Sequence, residues 1–347
     1  MRVGILTDQI PFIQGSAELH ARNLCAALRE AGHQAEVISM PFKWFPSDRI
    51  VPQMLAARLL DVTESSGMPI DRVIGLKFPA YLMEHTNKVL WILHQHRAAY
   101  DLWEHGLGDL YGQPGGEAAM RAIREADNRH IPRAQRVFAN SRRVSERLKR
   151  YNGVASEPLY HPPPLAERYA CVEADDFLLM PSRINETERQ ALVIEALFHV
   201  RSDLRVCIVG RPEANGAIER LKARAAALTS GRVTFVGGVS DEEKLRLYGS
   251  CLGVVSVPFD ENYAYVTLEA MLAGKPVVTC TDSSGVLEFA VHGETGLIAE
   301  PEPAALADAM DRLWFDRAFA RRLGAQGRER YRQLGIGWRQ VIESLTA

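Results

Sequence analysis

Ten short apolar runs, in two groups of five separated mostly by helix-length segments, constrain this 347-residue chain more than any other feature. The first group is Val3 to Leu6, Val37 to Ser39, Val73 to Leu76, Val89 to Leu93 and Val137 to Ala139. The second is Phe177 to Met180, Val206 to Val209, Val233 to Val236, Gly253 to Val257 and Pro276 to Thr279. A strand buried on both faces reads as a continuous apolar stretch, and parallel strands need crossover connections, so each group predicts a doubly wound α/β layer. Between the first two runs, Ala17, Ala21, Leu24, Leu28 and Ala31 repeat at alternating steps of four and three, one face of a helix that Gly32 ends. The groups are divided by "YNGVASEPLYHPPPLAERY", whose prolines Pro162 to Pro164 neither continue a helix nor donate to a central strand. The reading is two Rossmann-like domains, 1–164 and 165–332, then a C-terminal helix within 333–347 that packs back toward the first domain. Open α/β sheets bind ligands beyond the carboxyl ends of their strands, and two such layers are expected to face a shared cleft.

Composition excludes several classes. With 47% apolar and 24% charged residues the chain is a packed protein, neither disordered nor fibrous. A net charge of -2 argues against a nucleic-acid partner, and no run reaches the roughly 18 apolar residues of a membrane span. The five cysteines are scattered, which predicts reduced, mostly buried thiols. The opening "MRVGILTD" is strand-like, so no secretory leader and a cytoplasmic location are expected, with peripheral membrane contact left open.

Candidate chemistry begins at Gly15 and Ser16, before the first helix, where free N–H groups suit an anion; an ordinary turn with Ser16 as N-cap explains them equally. Neither G-x-G-x-x-G at a domain start nor G-x-x-x-x-G-K-[ST] occurs, so a nicotinamide dehydrogenase and a P-loop NTPase lose their main support. In "VPFDENYAYVTLEAMLAGKPVVTCTDSSGVLEF", Glu261 and Glu269 lie eight apart across a loop entering a helix over Val266 to Leu272. Such a helix start can meet a diphosphate while the carboxylates accept hydrogen bonds from sugar and ribose hydroxyls; two solvated glutamates fit the spacing too.

That segment resembles the Glu-x7-Glu signature of family 4 retaining glycosyltransferases of the GT-B fold. The resemblance extends to "QGSAELHARNLCAALREAGHQAEVI", "FANSRRVSERL", "VTFVGGVSDEEKLRLYGSCLGVVSVP" and "GVLEFAVHGETGLIAEPEPAALADAM", in order, over most of the chain. It implies transfer of a sugar from a nucleoside-diphosphate sugar, usually with uridine or guanosine (UDP- or GDP-sugar), to a carbohydrate or lipid-linked acceptor hydroxyl. Retention, no cofactor and no bound metal are implied as well, in surface polysaccharide or glycolipid synthesis. By the same resemblance Glu261 contacts the donor sugar, Glu269 the ribose, and the backbone of Tyr265, Val266 and Thr267 the diphosphate. Arg183 neutralises the leaving group, and His94, ahead of His96, donates a hydrogen bond to the sugar or the nascent charge. Lys77, Arg97, Tyr100 and Asp101 are near enough in sequence to line an acceptor pocket.

Three positions depart from the family pattern: Glu188 replaces a lysine, Ala264 a glycine, and Ser284 the second glycine of an "SGG". The expectation is that Arg189 swings into the missing lysine's place and Glu188 turns to solvent. The alternative is a weakly active or non-catalytic GT-B partner protein; an epimerase or phosphorylase fits the signature less well. Between Glu117 and Arg150 ten basic residues face four acidic ones, which suits an anionic membrane surface or a solvated helical face.

Overall fold

Each of the ten apolar runs falls on a strand of a parallel sheet; all are largely buried except Val37 to Ser39 and Val233 to Val236, which lie on edge strands and are partly exposed. The computed structural model describes residues 1–12, 15–213, 216–229 and 231–347. It divides into unit 1, Met1–His161 with Gly337–Ala347, and unit 2, Pro162–Ile336. The expected boundary at 164/165 thus lies at 161/162, and the terminal segment joins unit 1 from Gly337.

Unit 1 runs β1 (Arg2–Gln9), α1 (Ser16–Glu30), β2 (Gln34–Pro41), α2 (Ile50–Leu59) and a small hairpin of β3 (Glu64–Ser65) and β4 (Met68–Pro69). It continues with β5 (Arg72–Lys77), β6 (Lys88–His94), α3 (Asp101–Glu104), α4 (Gly116–His130), β7 (Arg136–Ala139), α5 (Arg142–Asn152) and β8 (Glu157–Pro158). The sheet order is β2-β1-β5-β6-β7-β8, so the winding reverses between β1 and β5. Strand β8 falls inside the segment read as linker; it is two residues long and too short to show a pattern. In unit 2, β9 (Phe177–Pro181), α6 (Gln190–His199), β10 (Arg205–Val209), α7 (Ala217–Leu228), β11 (Val233–Val236) and α8 (Asp241–Ser250) come first. Then follow β12 (Gly253–Val255), α9 (Tyr265–Leu272), β13 (Val277–Cys280), β14 (Gly296–Ala299), α10 (Pro303–Phe315) and α11 (Arg317–Gln333). Here the order is β11-β10-β9-β12-β13-β14, with the reversal between β9 and β12.

The last helix, α12 (Trp338–Thr346), belongs to unit 1. Its Val341, Ile342 and Leu345 are buried in one cluster with Leu24 and Leu28 of α1. Arg72 donates to the carbonyls of Leu345 at 2.9 Å and Ala347 at 2.8 Å, two acceptors that the helix end leaves open. Cys25, Cys207, Cys251 and Cys280 are buried, whereas Cys171 is exposed. Among the described residues no helix is long and apolar enough to cross a membrane.

The loops after β5 and β6 are tied to α4 through a buried carboxylate. Asp127 accepts from Tyr81 at 2.9 Å and Tyr100 at 2.8 Å, and burial pushes its pKa up to about 7. The unfolded chain ionises near the ordinary carboxylate value while the fold keeps the proton, so stability falls as pH rises from about 4 to 7 and levels above that. Thermal melts at pH 5 and pH 8 are expected to show a smaller drop for Asp127→Asn than for the parent; an unchanged drop would contradict this origin.

Candidate functional site at the carboxyl ends of the strands

In unit 2 three loops meet at the reversal point, those following β9, β12 and β13. Arg189 holds them together. Its guanidinium donates to both carboxylate oxygens of Asp282 at 2.7 Å, to the carbonyls of Val257 at 2.6 Å and Pro258 at 3.1 Å, and to Ser283 Oγ at 3.4 Å. This corrects the expectation that Arg189 replaces the family lysine, because every arm of its planar fork is already engaged inside the protein. Glu188 is corrected with it. It is half-buried rather than turned to solvent, with its N–H on Asn185 Oδ1 at 3.0 Å. Burial, then the Glu261 carboxylate, push its pKa up to about 8 against the pull of Arg183, so at neutral pH Glu188 is a neutral acid.

Glu261 stands on the loop after β12. Its Oε1 accepts from the N–H of Asn262 at 2.7 Å and Tyr263 at 3.3 Å, which orients the carboxylate and leaves Oε2 open among the described residues. The loop is fixed from behind by Gly285, whose N–H donates to Glu261 O at 3.1 Å. A Cβ at Gly285 would lie 2.8 Å from that oxygen and 2.9 Å from Asn262 O, so only glycine permits the approach. Left-handed backbone gathers in these loops: φ is +57° at Arg189, +49° at Asp260 and +36° at Ser284. The family glycine at Ser284 is thereby explained, and its replacement carries backbone strain. Ala264, with φ of -85°, needs no glycine.

Helix α9 begins one residue earlier than expected, at Tyr265. The N–H groups of Tyr265 and Thr267 already donate to Tyr263 O at 3.0 Å and Ala264 O at 3.1 Å; that of Val266 has no partner among the described residues. Thr267 is fully buried, so its hydroxyl does not face a ligand. Glu269 is 4% exposed and holds Lys244 on Oε1 and Tyr248 on Oε2 at 2.6 Å, so a ribose contact requires Lys244 to yield. Arg183 is exposed and meets Glu213 at 2.5 Å, a weak surface pair that a diphosphate can displace. A second cation escaped the sequence reading: exposed Arg211, after β10, lies over Gly238, where a Cβ would come 2.5 Å from its Nε.

Unit 1 has its own reversal point, where Lys77 and His94 end β5 and β6 and Asp8 is the last residue but one of β1. Lys77 Nζ lies 3.2 Å from the buried Asp8, whose pKa burial raises despite that ammonium. His94 Nδ1 lies 2.6 Å from Gln95 O; a carbonyl only accepts, so Nδ1 carries the proton. Burial, Lys77 and Arg97 lower the ring's pKa to about 3, so Nε2 is an acceptor and the expected donor role is corrected. His96 packs against Phe42 and Phe78. Tyr100 is buried on Asp127 and Asp101 is held by Arg97 at 2.7 Å and Arg147 at 3.4 Å, roles inside the protein. At the other loop, Ile13 and Gln14 lie outside the described residues. Gly15, not Ser16, caps α1, and its N–H donates to Glu18 at 2.7 Å, so the chain's own carboxylate occupies the expected anion position.

The basic segment 117–150 is mostly paired. Arg133, Arg136, Arg147 and Arg150 meet Glu84, Glu157, Asp101 and Glu104, all from outside the segment, while Arg121 and Arg143 meet Glu117 and Glu146 within it. Acids distant in sequence therefore offset the local excess.

The family model for "Glycosyl transferases group 1" matches residues 166–330. Over that segment the chain is similar to the glycosyl transferases of group 1. It is 37% identical over 136 residues to D-rhamnosyltransferase WbpZ of Pseudomonas aeruginosa, a match spanning 38% of this chain and 35% of that one. The chain thus spans about a third of the length of that curated relative. Sucrose-phosphate synthase of Thermosynechococcus elongatus superposes with a TM-score of 0.79 at 18% identity, covering 99% of this chain and 98% of that one. Anabaena HepE in complex with UDP-glucose gives 0.73 at 17% identity, with 99% and 98% covered. At those identities the likeness establishes the fold, GT-B, alone.

Proposed function

We propose that this chain is a retaining glycosyltransferase that moves a sugar from a UDP- or GDP-sugar to an acceptor hydroxyl, in polysaccharide or glycolipid synthesis. The observation that carries the reading is the oriented Glu261 carboxylate, with one oxygen open among the described residues, four residues before the start of α9. The anomeric C–O bond to phosphate breaks as the acceptor oxygen attacks the same face, and the acceptor proton passes to the departing phosphate oxygen. Negative charge grows on the diphosphate, where Arg183, Arg211 and the Val266 N–H reduce it. Glu261 Oε2 accepts a sugar hydroxyl and orients the ring. In unit 1, His94 Nε2 and Asp8 offer acceptors for a hydroxyl. Thermal shift with UDP, GDP and their sugars tests donor binding, since a ligand at 100 times its Kd stabilises by roughly 2.7 kcal/mol. The anomeric configuration of the product by NMR tests retention. No shift with any nucleoside diphosphate would sink the reading.

The second reading, a weakly active partner protein, draws on Glu188, an acid where the family has a cation. The protonation of Glu188 separates them by pH. Nucleoside-diphosphate affinity is expected to fall as pH rises through about 8, because Glu188 then gains charge beside the anion. Titrations at pH 7 and pH 9 are expected to show this fall in the parent and not in Glu188→Gln. Equal slopes in both would remove Glu188 from the site.

A further inference from the structure

Buried polar atoms without partners gather along one edge of the unit 1 sheet, at the carboxyl ends of β1, β5, β6 and β7, which are neighbours in that order. Leu6 pairs with Gly75 and Lys77 with His94, so the register sets Asp8, Lys77 and His94 side by side. Asp8 is 1% exposed, and neither of its carboxylate oxygens closes a hydrogen bond among the described residues; Lys77 Nζ stands 3.2 Å from Oδ1 as an ion pair. Asn140, the residue after β7, is buried with Oδ1 unpartnered, and His96, two residues beyond β6, has Nε2 buried without a partner. His94 Nε2 adds an acceptor to the same row. Buried polar atoms are ordinarily satisfied, and open α/β sheets bind ligands at this edge.

The groups that could hold an anion there are already taken. Lys77 is on Asp8, Arg97 is on Asp101 at 2.7 Å, and the Gly15 N–H at the start of α1 is on the Glu18 carboxylate at 2.7 Å. Ser141 caps α5 through the Val144 N–H at 3.1 Å. Lys43 is exposed on the loop after the edge strand β2, outside the row. A hydroxyl both donates and accepts, so it satisfies a carboxylate, an amide oxygen and a neutral imidazole alike. A phosphate monoester, mostly doubly charged at neutral pH, would meet Asp8, Asn140 Oδ1 and His94 Nε2, three acceptors of which one is a carboxylate.

We propose that the acceptor offers unit 1 an uncharged, hydroxyl-bearing ring, and that the edge formed by Asp8, His94 and Asn140 rejects a ring phosphorylated beside the reacting hydroxyl. This rests on the transferase reading and adds the acceptor's chemical class.

Saturation-transfer NMR titrations of the whole chain, with UDP and GDP present to occupy the cations of unit 2, compare glucose, mannose and myo-inositol with the monophosphate of each. The parent is expected to bind at least one neutral polyol about tenfold tighter than its phosphate. Asp8→Asn removes the carboxylate and releases Lys77 at nearly constant side-chain size, so phosphate affinity is expected to rise about tenfold, a gain that misfolding does not produce. Glu18→Ala opens the Gly15 N–H at a separate point and is expected to act in the same direction. Equal affinity for polyol and phosphate in the parent, no polyol binding in the parent, or unchanged phosphate affinity in both variants overturns the proposal. Thermal shift with UDP and GDP on the same preparation is read separately. A nucleotide shift beside equal polyol and phosphate affinity removes the acceptor class and keeps the transferase; a polyol preference without any nucleotide shift removes the transferase and keeps a polyol site in unit 1.

Discussion

Arg189→Ala is expected to cost about 3 kcal/mol of stability and to lower turnover at least a hundredfold. The substitution strands the Asp282 carboxylate and two loop carbonyls that the guanidinium now satisfies, and unsatisfied partners, not the lost attraction alone, set the size of the loss. Arg189 is 17% exposed and Asp282 33%, so water recovers part of the penalty and the value sits at the low end for a broken buried pair. For a unit of this size that is a drop of roughly 6 to 12 °C in melting temperature. Turnover falls because the loop bearing Glu261 loses its anchor at Val257 and Pro258, four and three residues upstream. Arg189→Lys should fall between, since lysine keeps the charge and loses the fork. Melting and transfer rates indistinguishable from the parent would refute the clamp.

Glu261→Ala is expected to lower turnover by about 10² to 10³ with the melting temperature nearly unchanged. The side chain is half-buried on a loop, and its Oε1 bonds are to the two N–H groups that follow it, so little of the core depends on it. Nucleoside-diphosphate affinity should stay near the parent value, because the loss falls on the sugar rather than the diphosphate. Thermal shift and transfer assays on the same preparation check this. A well-folded Glu261→Ala chain with parental turnover would remove Glu261 from the reaction.

The strands and α1 were legible because their signal is local: Leu24 and Leu28 of α1, or Leu178 and Met180 of β9, report burial through spacing alone. Strands β8 and β14 were missed, being too short or too mixed to show a period. The site was legible only in its positions. Glu261, Glu269, Arg183 and the start of α9 were named from residue types and resemblance, but what each side chain touches was not. Arg189 finds Asp282, 93 residues away, and that one contact cancels its expected role. Likewise the basic look of 117–150 dissolves once Glu84, Asp101, Glu104 and Glu157 arrive from elsewhere.

The sequence by itself determined the two parallel layers, the break near Pro162 and the family resemblance, since apolar period, proline and motif order act within short windows. Tertiary structure alone decided that Arg189 is a clamp, that Glu188 keeps its proton, and that His94 accepts rather than donates. Each of those depends on what the fold packs around a side chain, whereas residue spacing reports burial only for periodic apolar runs.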